Sequence, residues 1–182
     1  VLDTFRLPRR DSYLFHTMSG DLAVTAKDGL LEMDFPSRPP APVDATPEMA
    51  DAIGTEILEA HLSRDLILLV DSVETVARLK PDMDKITSVT DAFAVAVTAK
   101  GEGDADFVSR FFAPGAGVPE DPVTGSSHSS LIPFWASRLG KREMLARQLS
   151  RRGGTLYCRD AGERVVIGGH ARVYLRGDIE AE

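Results

Sequence analysis

Apolar and polar positions divide this chain into short runs rather than long helical stretches. Over residues 13–36 the apolar residues recur between two turn signals, Ser19-Gly20-Asp21 and Lys27-Asp28-Gly29, and the segment predicts strands joined by tight turns. Leu22, Val24 and Ala26 alternate loosely with polar neighbours, and residues 30–35 form the next strand. Five prolines follow between Pro36 and Pro47. Such a stretch has no place in a central strand or a helix interior, so it predicts an extended linker and a boundary. Thr46, Pro47 and Glu48 supply a cap, a first-turn proline and a carboxylate for a short helix.

The run "RDLILLV" (64–70) has strand length and no polar alternation, as expected of a strand buried on both faces. Asp71 or Ser72 caps a helix "VETVARLK" that stops before Pro81. "AFAVAVT" alternates Phe93, Val95 and Val97 with alanines and predicts a strand, and residues 101–104 turn it back into "DFVSRFF". Further on, "REMLARQLS" predicts a helix ended by Gly153-Gly154. "TLYCR", "RVVIG" and "ARVYLRG" predict three closing strands, turned at Gly162 and at Gly168-Gly169. Mixed strands with few helices make an α+β domain.

Composition narrows the functional classes. The 182 residues suffice for one compact domain or for one domain plus part of another. A net charge of −7 argues against nucleic acid as main partner. No apolar run approaches the roughly 20 residues a membrane span needs, and no signal-peptide pattern is present. The lone Cys158 forms no internal disulfide, which fits a reducing, cytoplasmic location. His16, His61, His128 and His170 are scattered, so no metal cluster is expected. Charge is uneven: residues 1–100 hold 17 acids against 10 bases, and the remainder is balanced. Arg138, Lys141, Arg142, Arg147, Arg151 and Arg152 cluster with only Glu143 opposing them. They fit a solvated helix face with C-terminal cations, or a site for an anion. The chain opens without methionine, and the expectation is a removed start or a piece of something longer.

The stretch "GVPEDPVTGSSHSSLIPFW" (117–135) carries the candidate chemistry. A Pro- and Gly-rich loop leads into a helix start at which Thr124 or Ser126 is a cap and Gly125 admits close approach of a ligand. The first amides of a helix lack internal partners and carry partial positive charge, so a carboxylate or phosphate fits there. Asp121 would lie beside it as an acid–base group, with hydroxyls from Thr124, Ser126 and Ser127 nearby. The same residues are also what any helix N-terminus prefers, and His128 alone fits a packed or solvated helix position. Pro133 falls inside the proposed helix and demands either a kink or a later start. No G-x-S-x-G elbow, phosphate-binding P-loop or H-E-x-x-H motif occurs, and Ser126 or Ser127 beside His128 is not a nucleophile pair.

"FFAPGAGVPEDPVTGSSHSSLIPFWASRLGK" resembles the signature of the PhzF-like phenazine biosynthesis isomerase/epimerase family. "ARQLSRRGGTLYC", "RVVIGGHARVYLRGDI", "RDLILLV", "TDAFAVAVTAK" and "SGDLAVTAKDGLLEMDFP" resemble its other segments, so the resemblance covers nearly the whole chain, and "EDPVTGS" is specific. It implies a diaminopimelate epimerase-like fold of two pseudo-symmetric domains, each a mixed sheet wrapped around a central helix, with the site in the cleft between them. It implies cofactor-independent proton transfer on a small carboxylate-bearing substrate, without metal. By that resemblance Asp121 matches an active-site acid, and Gly125 and Ser126 the helix start that receives the substrate carboxylate. Thr124, Ser127 and His128 are the remaining candidate binding residues. The cysteine pair of related epimerases has no counterpart in Cys158, which is expected to be a structural thiol.

One departure stands out. The family opens with a domain carrying a glutamate base and a "GHAT"-type helix start, and neither occurs here. The expectation is that residues 1–40 are closing strands of that domain with a linker, and residues 44–182 the C-terminal domain. The isomerase site would then be completed by the missing N-terminal domain or a second chain, with a homodimer expected. The alternative is a non-catalytic anion-binding or interaction module lacking the base.

Overall fold

A computed structural model describes residues 12–17, 20–27, 29–172, 174, 175 and 177. Strands β1 (Ser12–Thr17), β2 (Gly20–Lys27) and β3 (Leu30–Pro36) precede the proline-rich segment, which itself contributes β4 (Ala41–Val43). Then come α1 (Pro47–Ile53), β5 (Glu59–Leu62), β6 (Leu66–Leu69), α2 (Val73–Arg78), α3 (Met83–Ser88), β7 (Val95–Lys100) and β8 (Phe107–Phe112). The chain closes with α4 (His128–Leu139), β9 (Glu143–Gln148), β10 (Gly154–Asp160) and β11 (Arg164–Gly169).

The strands form one mixed sheet in the order β1-β2-β3-β11-β10-β9-β8-β7-β6-β5-β4. The β6–β7 and β8–β9 pairs are parallel. β3 pairs with β11 over six positions, so the strands before the proline-rich segment share one sheet with those after it. The proline-rich stretch is not wholly a linker: β4 forms the sheet edge against β5, where Pro42 needs no outer ladder partner.

Strand alternation sends side chains to two cores. One face of β6–β11, with Ile67, Ala96, Phe107, Phe111, Ala146 and Ile167, packs on the central helix α4. The other face, with Leu66, Leu68, Val95, Val97, Val108 and Phe112, is covered by residues of α1, α2 and α3. β6 is buried on both faces, as its unbroken apolar run predicts. The caps also match: the Thr46 hydroxyl accepts from Met49 N–H and the Ser72 hydroxyl from Thr75 N–H. α3 was not anticipated; Asp82 caps it by accepting from the Asp84 and Lys85 amides.

Three expectations need correction. Residues 142–150 form no helix. β9 lies between β8 and β10, with Met144, Ala146 and Gln148 inward and Glu143 and Arg147 exposed, a period of two. Gly153 (φ +71°) turns the chain into β10, and Gly154 starts that strand instead of ending a helix. Gly168 and Gly169 lie within β11 rather than in a turn, whereas Gly162 (φ +84°) does turn β10 into β11. Ser19 and Asp28, proposed as turn residues, lie outside the described residues, as do Val173 and Arg176 of the proposed strand at 171–177, whose described residues are in no strand. The basic cluster also disperses: Arg138 pairs with Glu59, Lys141 with Asp106 and Arg147, on a strand, with Asp104.

α4 runs through Pro133. A proline there has no N–H for the Ser129 carbonyl, and the backbone N–H of Arg38 fills that acceptor at 2.8 Å. The helix thereby ties down the segment that follows β3.

Candidate functional site

The loop between β8 and α4 leaves the sheet through a short 3-10 turn at Pro114–Ala116 and returns to it at Asp121, whose N–H donates to the Phe111 carbonyl at 3.0 Å. From there to α4 it is held by a side chain from the next strand. Gln148, 1% exposed at the end of β9, accepts from Thr124 N–H at 2.8 Å and donates through Nε2 to the Asp121 carbonyl at 2.6 Å. The same Nε2 lies 3.2 Å from the Thr124 hydroxyl. Ser150 adds a hydrogen bond to the Pro122 carbonyl at 2.8 Å. Gly154 lets the loop settle on β10, since a Cβ there would stand 2.3 Å from Val123 Cγ2.

The clamp fixes the direction of a further bond. The Thr124 hydroxyl oxygen accepts a hydrogen bond from Gln148 Nε2, so its own proton points to Asp121 Oδ2, 2.6 Å away. Asp121 is half-buried, and its Oδ1 has no hydrogen bond among the described residues. The Thr124 hydroxyl, a candidate ligand contact by sequence, is thus committed to the carboxylate.

At the start of α4 the amides of Gly125, Ser126 and Ser127 donate to no group among the described residues. Helical bonding begins with His128 N–H to the Gly125 carbonyl. Ser127, at the cap position, makes no side-chain cap bond to the helix. A Cβ at Gly125 would meet only Met33 Cε, at 3.9 Å, so packing does not demand glycine there. Ser126 Oγ accepts from Arg64 Nη2 at 3.2 Å, which leaves its proton free to donate. Arg64 is gripped by Asp65 through Nε and Nη2, both at 3.0 Å, and lies over the Phe93 ring at 4.8 Å. Burial pushes the Asp65 carboxyl up, and Arg64 and Arg38 pull it back.

Two of the candidates turn inward. The Ser127 hydroxyl donates to the Thr124 carbonyl at 3.0 Å and is buried. His128 is fully buried against Phe107, with Nδ1 2.8 Å from the same carbonyl, so the Nδ1 proton is the one it carries. Its Nε2 has no partner among the described residues. Burial pushes its pKa down to about 4, so the ring is neutral at neutral pH. The loop therefore gathers Asp121, Thr124, Gly125 and Ser126, and it sends the Ser127 and His128 side chains to the core. Gln148 and the Arg64–Asp65 pair were not visible as site residues, because their partners lie 24 to 62 positions away in sequence.

Among the described residues no three His, Cys, Asp or Glu side chains converge to hold a metal ion. Cys158 lies in the core on β10, where burial pushes its thiol up and out of reactive range.

Comparison with known proteins shows which family the chain belongs to. Residues 1–177 match a family model described as phenazine biosynthesis-like protein. An uncharacterized isomerase of Pseudomonas aeruginosa is 46% identical over 166 residues, covering 91% of this chain and 63% of that protein. A mouse phenazine biosynthesis-like domain-containing protein is 37% identical over 203 residues, covering all of this chain and 69% of its relative. A crystal structure of a PhzF-family phenazine biosynthesis protein from Enterococcus faecalis superposes with a TM-score of 0.94 at 39% identity, over 99% of this chain and 69% of that one. A predicted epimerase from Pseudomonas aeruginosa, 17% identical with a TM-score of 0.67, shares the fold over 94% of this chain and 67% of its own. The chain thus spans about 63% of the length of two Pseudomonas aeruginosa isomerase-named relatives that it matches.

Proposed function

Since the chain belongs to the phenazine biosynthesis-like PhzC-PhzF family, we propose that it forms the acid-bearing half of a cofactor-independent isomerase or epimerase site. The site moves a proton on a small carboxylate-bearing substrate. Asp121 gives or takes the proton through Oδ1. The Gly125–Ser127 amides and the Ser126 hydroxyl hold the substrate carboxylate at the positive end of α4. The opposing proton-transfer group comes from elsewhere in the whole protein, a preceding domain or a second chain, for which β1, β2 and β3 supply closing strands. Isomerase-named relatives support the reaction class.

One observation carries the reading. Helix-start amides and a carboxylate oxygen that have no partner among the described residues lie on the same clamped loop, at a glycine that packing does not require. The same amides support a second reading, anion binding without chemistry, and one experiment separates the two. The whole protein is incubated with small carboxylates in deuterated water, and deuterium uptake at the carbon beside the carboxylate is followed by NMR. Uptake by the wild type, lowered about 10²–10⁴-fold in Asp121→Asn at unchanged melting temperature, is the expected result. Binding without uptake selects the second reading. Uptake at near-normal rate in Asp121→Asn removes Asp121 from the chemistry.

A further inference from the structure

Gln148 is almost wholly buried beside the loop, and its amide is fully used. Its carbonyl takes the Thr124 N–H, and its NH₂ serves the Asp121 carbonyl and the Thr124 hydroxyl. An amide places an acceptor and two donors side by side, so it closes both ends of the four-residue loop 121–124 at once. It also settles a question that Thr124 alone leaves open. A threonine hydroxyl rotates, and its one proton can go to any acceptor in reach. With the Gln148 NH₂ pointing at the oxygen, that proton has one good destination, Asp121 Oδ2 at 2.6 Å.

We propose that Gln148 is a positioning residue which, through the Thr124 hydroxyl, locks the Asp121 carboxylate with Oδ2 occupied and Oδ1 turned to the substrate. The inference rests on Asp121 being the proton-transferring group. Two variants dissect the relay. Thr124→Val removes the bond to the carboxylate, but the Thr124 N–H and Asp121 carbonyl stay clamped by Gln148. The amides of residues 125–127 then keep their place, and only the carboxylate is freed to rotate. Gln148→Leu releases the loop itself, so the carboxylate and the amides are both misplaced. Reacting groups held even about 1 Å off lose up to roughly 10²-fold in rate.

The test follows deuterium uptake as a function of substrate concentration, in the whole protein, with the carboxylate that the wild type exchanges fastest. Thr124→Val is expected to lower kcat about 10- to 100-fold at little-changed KM, and Thr124→Ser, which keeps the hydroxyl, to restore it. Gln148→Leu is expected to lower kcat and raise KM together. A structural role alone would lower stability in Gln148→Leu and Thr124→Val and would give no split between kcat and KM. If Gln148→Leu fails to fold, the Val/Ser pair at 124 still decides. Thr124→Val at wild-type kcat, with Asp121→Asn inactive, overturns the relay and leaves the proposed reaction standing. Wild-type rates in Asp121→Asn as well would overturn both.

Discussion

His128 shows how far one position can stand from the chemistry its neighbours carry. It follows Ser126 by two residues, yet its ring is fully buried against Phe107, and Nε2 has no partner among the described residues. A neutral ring tolerates that site, whereas an imidazolium would need a second acceptor, and none of the described residues supplies one. The consequence is a pH-dependent stability. In the unfolded chain the ring titrates near its ordinary 6.5, and in the fold its pKa is pushed down to about 4. As pH falls through 6.5 the unfolded state takes up the proton first, so the fold is progressively penalised, and the penalty levels off below about 4. At about 1.4 kcal/mol per unit it reaches roughly 3 kcal/mol. Urea unfolding at pH 7.5 and 4.5 checks this. The wild type should lose about 2–3 kcal/mol more between the two conditions than His128→Phe, which keeps a flat ring on Phe107. An equal loss in both proteins would mean that the ring does not change its proton affinity on folding.

Elements, rather than residues, explain which parts of the fold the sequence discloses. The alternation in β7 and β8, the caps of α1 and α2 and the apolar run of β6 are local signals that tertiary structure reinforces. β9 is the opposite case. Met144, Leu145, Ala146, Arg147 and Gln148 are all good helix formers. Their place is decided by an antiparallel neighbour, β10, on one side and by a parallel one, β8, on the other, whose partners lie 39 positions away and outside any local window. The misreading of β9 hid Gln148, because a glutamine on a predicted helix face gives no hint of a clamp on the Asp121 loop. Asp121, Gly125 and Ser126 were legible through the specific "EDPVTGS" motif, whereas Arg64 showed only as the start of a strand. α4 was legible except for what makes Pro133 tolerable, the Arg38 amide. The helix is further pinned by Trp135, whose indole N–H donates to the Thr98 hydroxyl at 3.0 Å, which in turn donates to the Val108 carbonyl at 2.6 Å. Thr98→Val keeps the shape and removes the acceptor, leaving a buried indole N–H unpaired. It should cost about 1–3 kcal/mol in urea unfolding, and Thr98→Ser far less. Equal stability of the valine variant and the wild type would show that the Trp135 bond does not anchor α4.

Across the whole molecule, stability is expected to be graded along the sheet. The central strands β7 and β8 are covered on both faces, with Val95, Val97, Phe107 and Phe112 almost wholly buried. At one end, neither buried cluster includes a residue of β1 or β2, and Leu14 and Phe15 are exposed. β1 pairs with β2 and β2 with β3, and that ribbon joins the rest of the sheet through the β3–β11 ladder. Opening β1 and β2 sacrifices ladder bonds but little buried apolar area, so it should cost much less than global unfolding. The candidate site belongs to the other regime. Its loop springs from β8, its clamp from β9, and its amides from the buried end of α4. Hydrogen exchange read by NMR tests both statements together. Amides of β1 and β2 should exchange by local opening, well ahead of β7 and β8. The Asp121 and Thr124 amides, though in a loop, should exchange as slowly as the core strands, because one is bonded to the Phe111 carbonyl and the other to buried Gln148. Fast exchange at Asp121 and Thr124 would mean that the clamp opens independently of the core. The carboxylate would then not be preorganised by the fold, and the order needed for proton transfer would have to come from the substrate. Uniform protection from β1 to β8 would mean instead that the ribbon unfolds only with the central sheet.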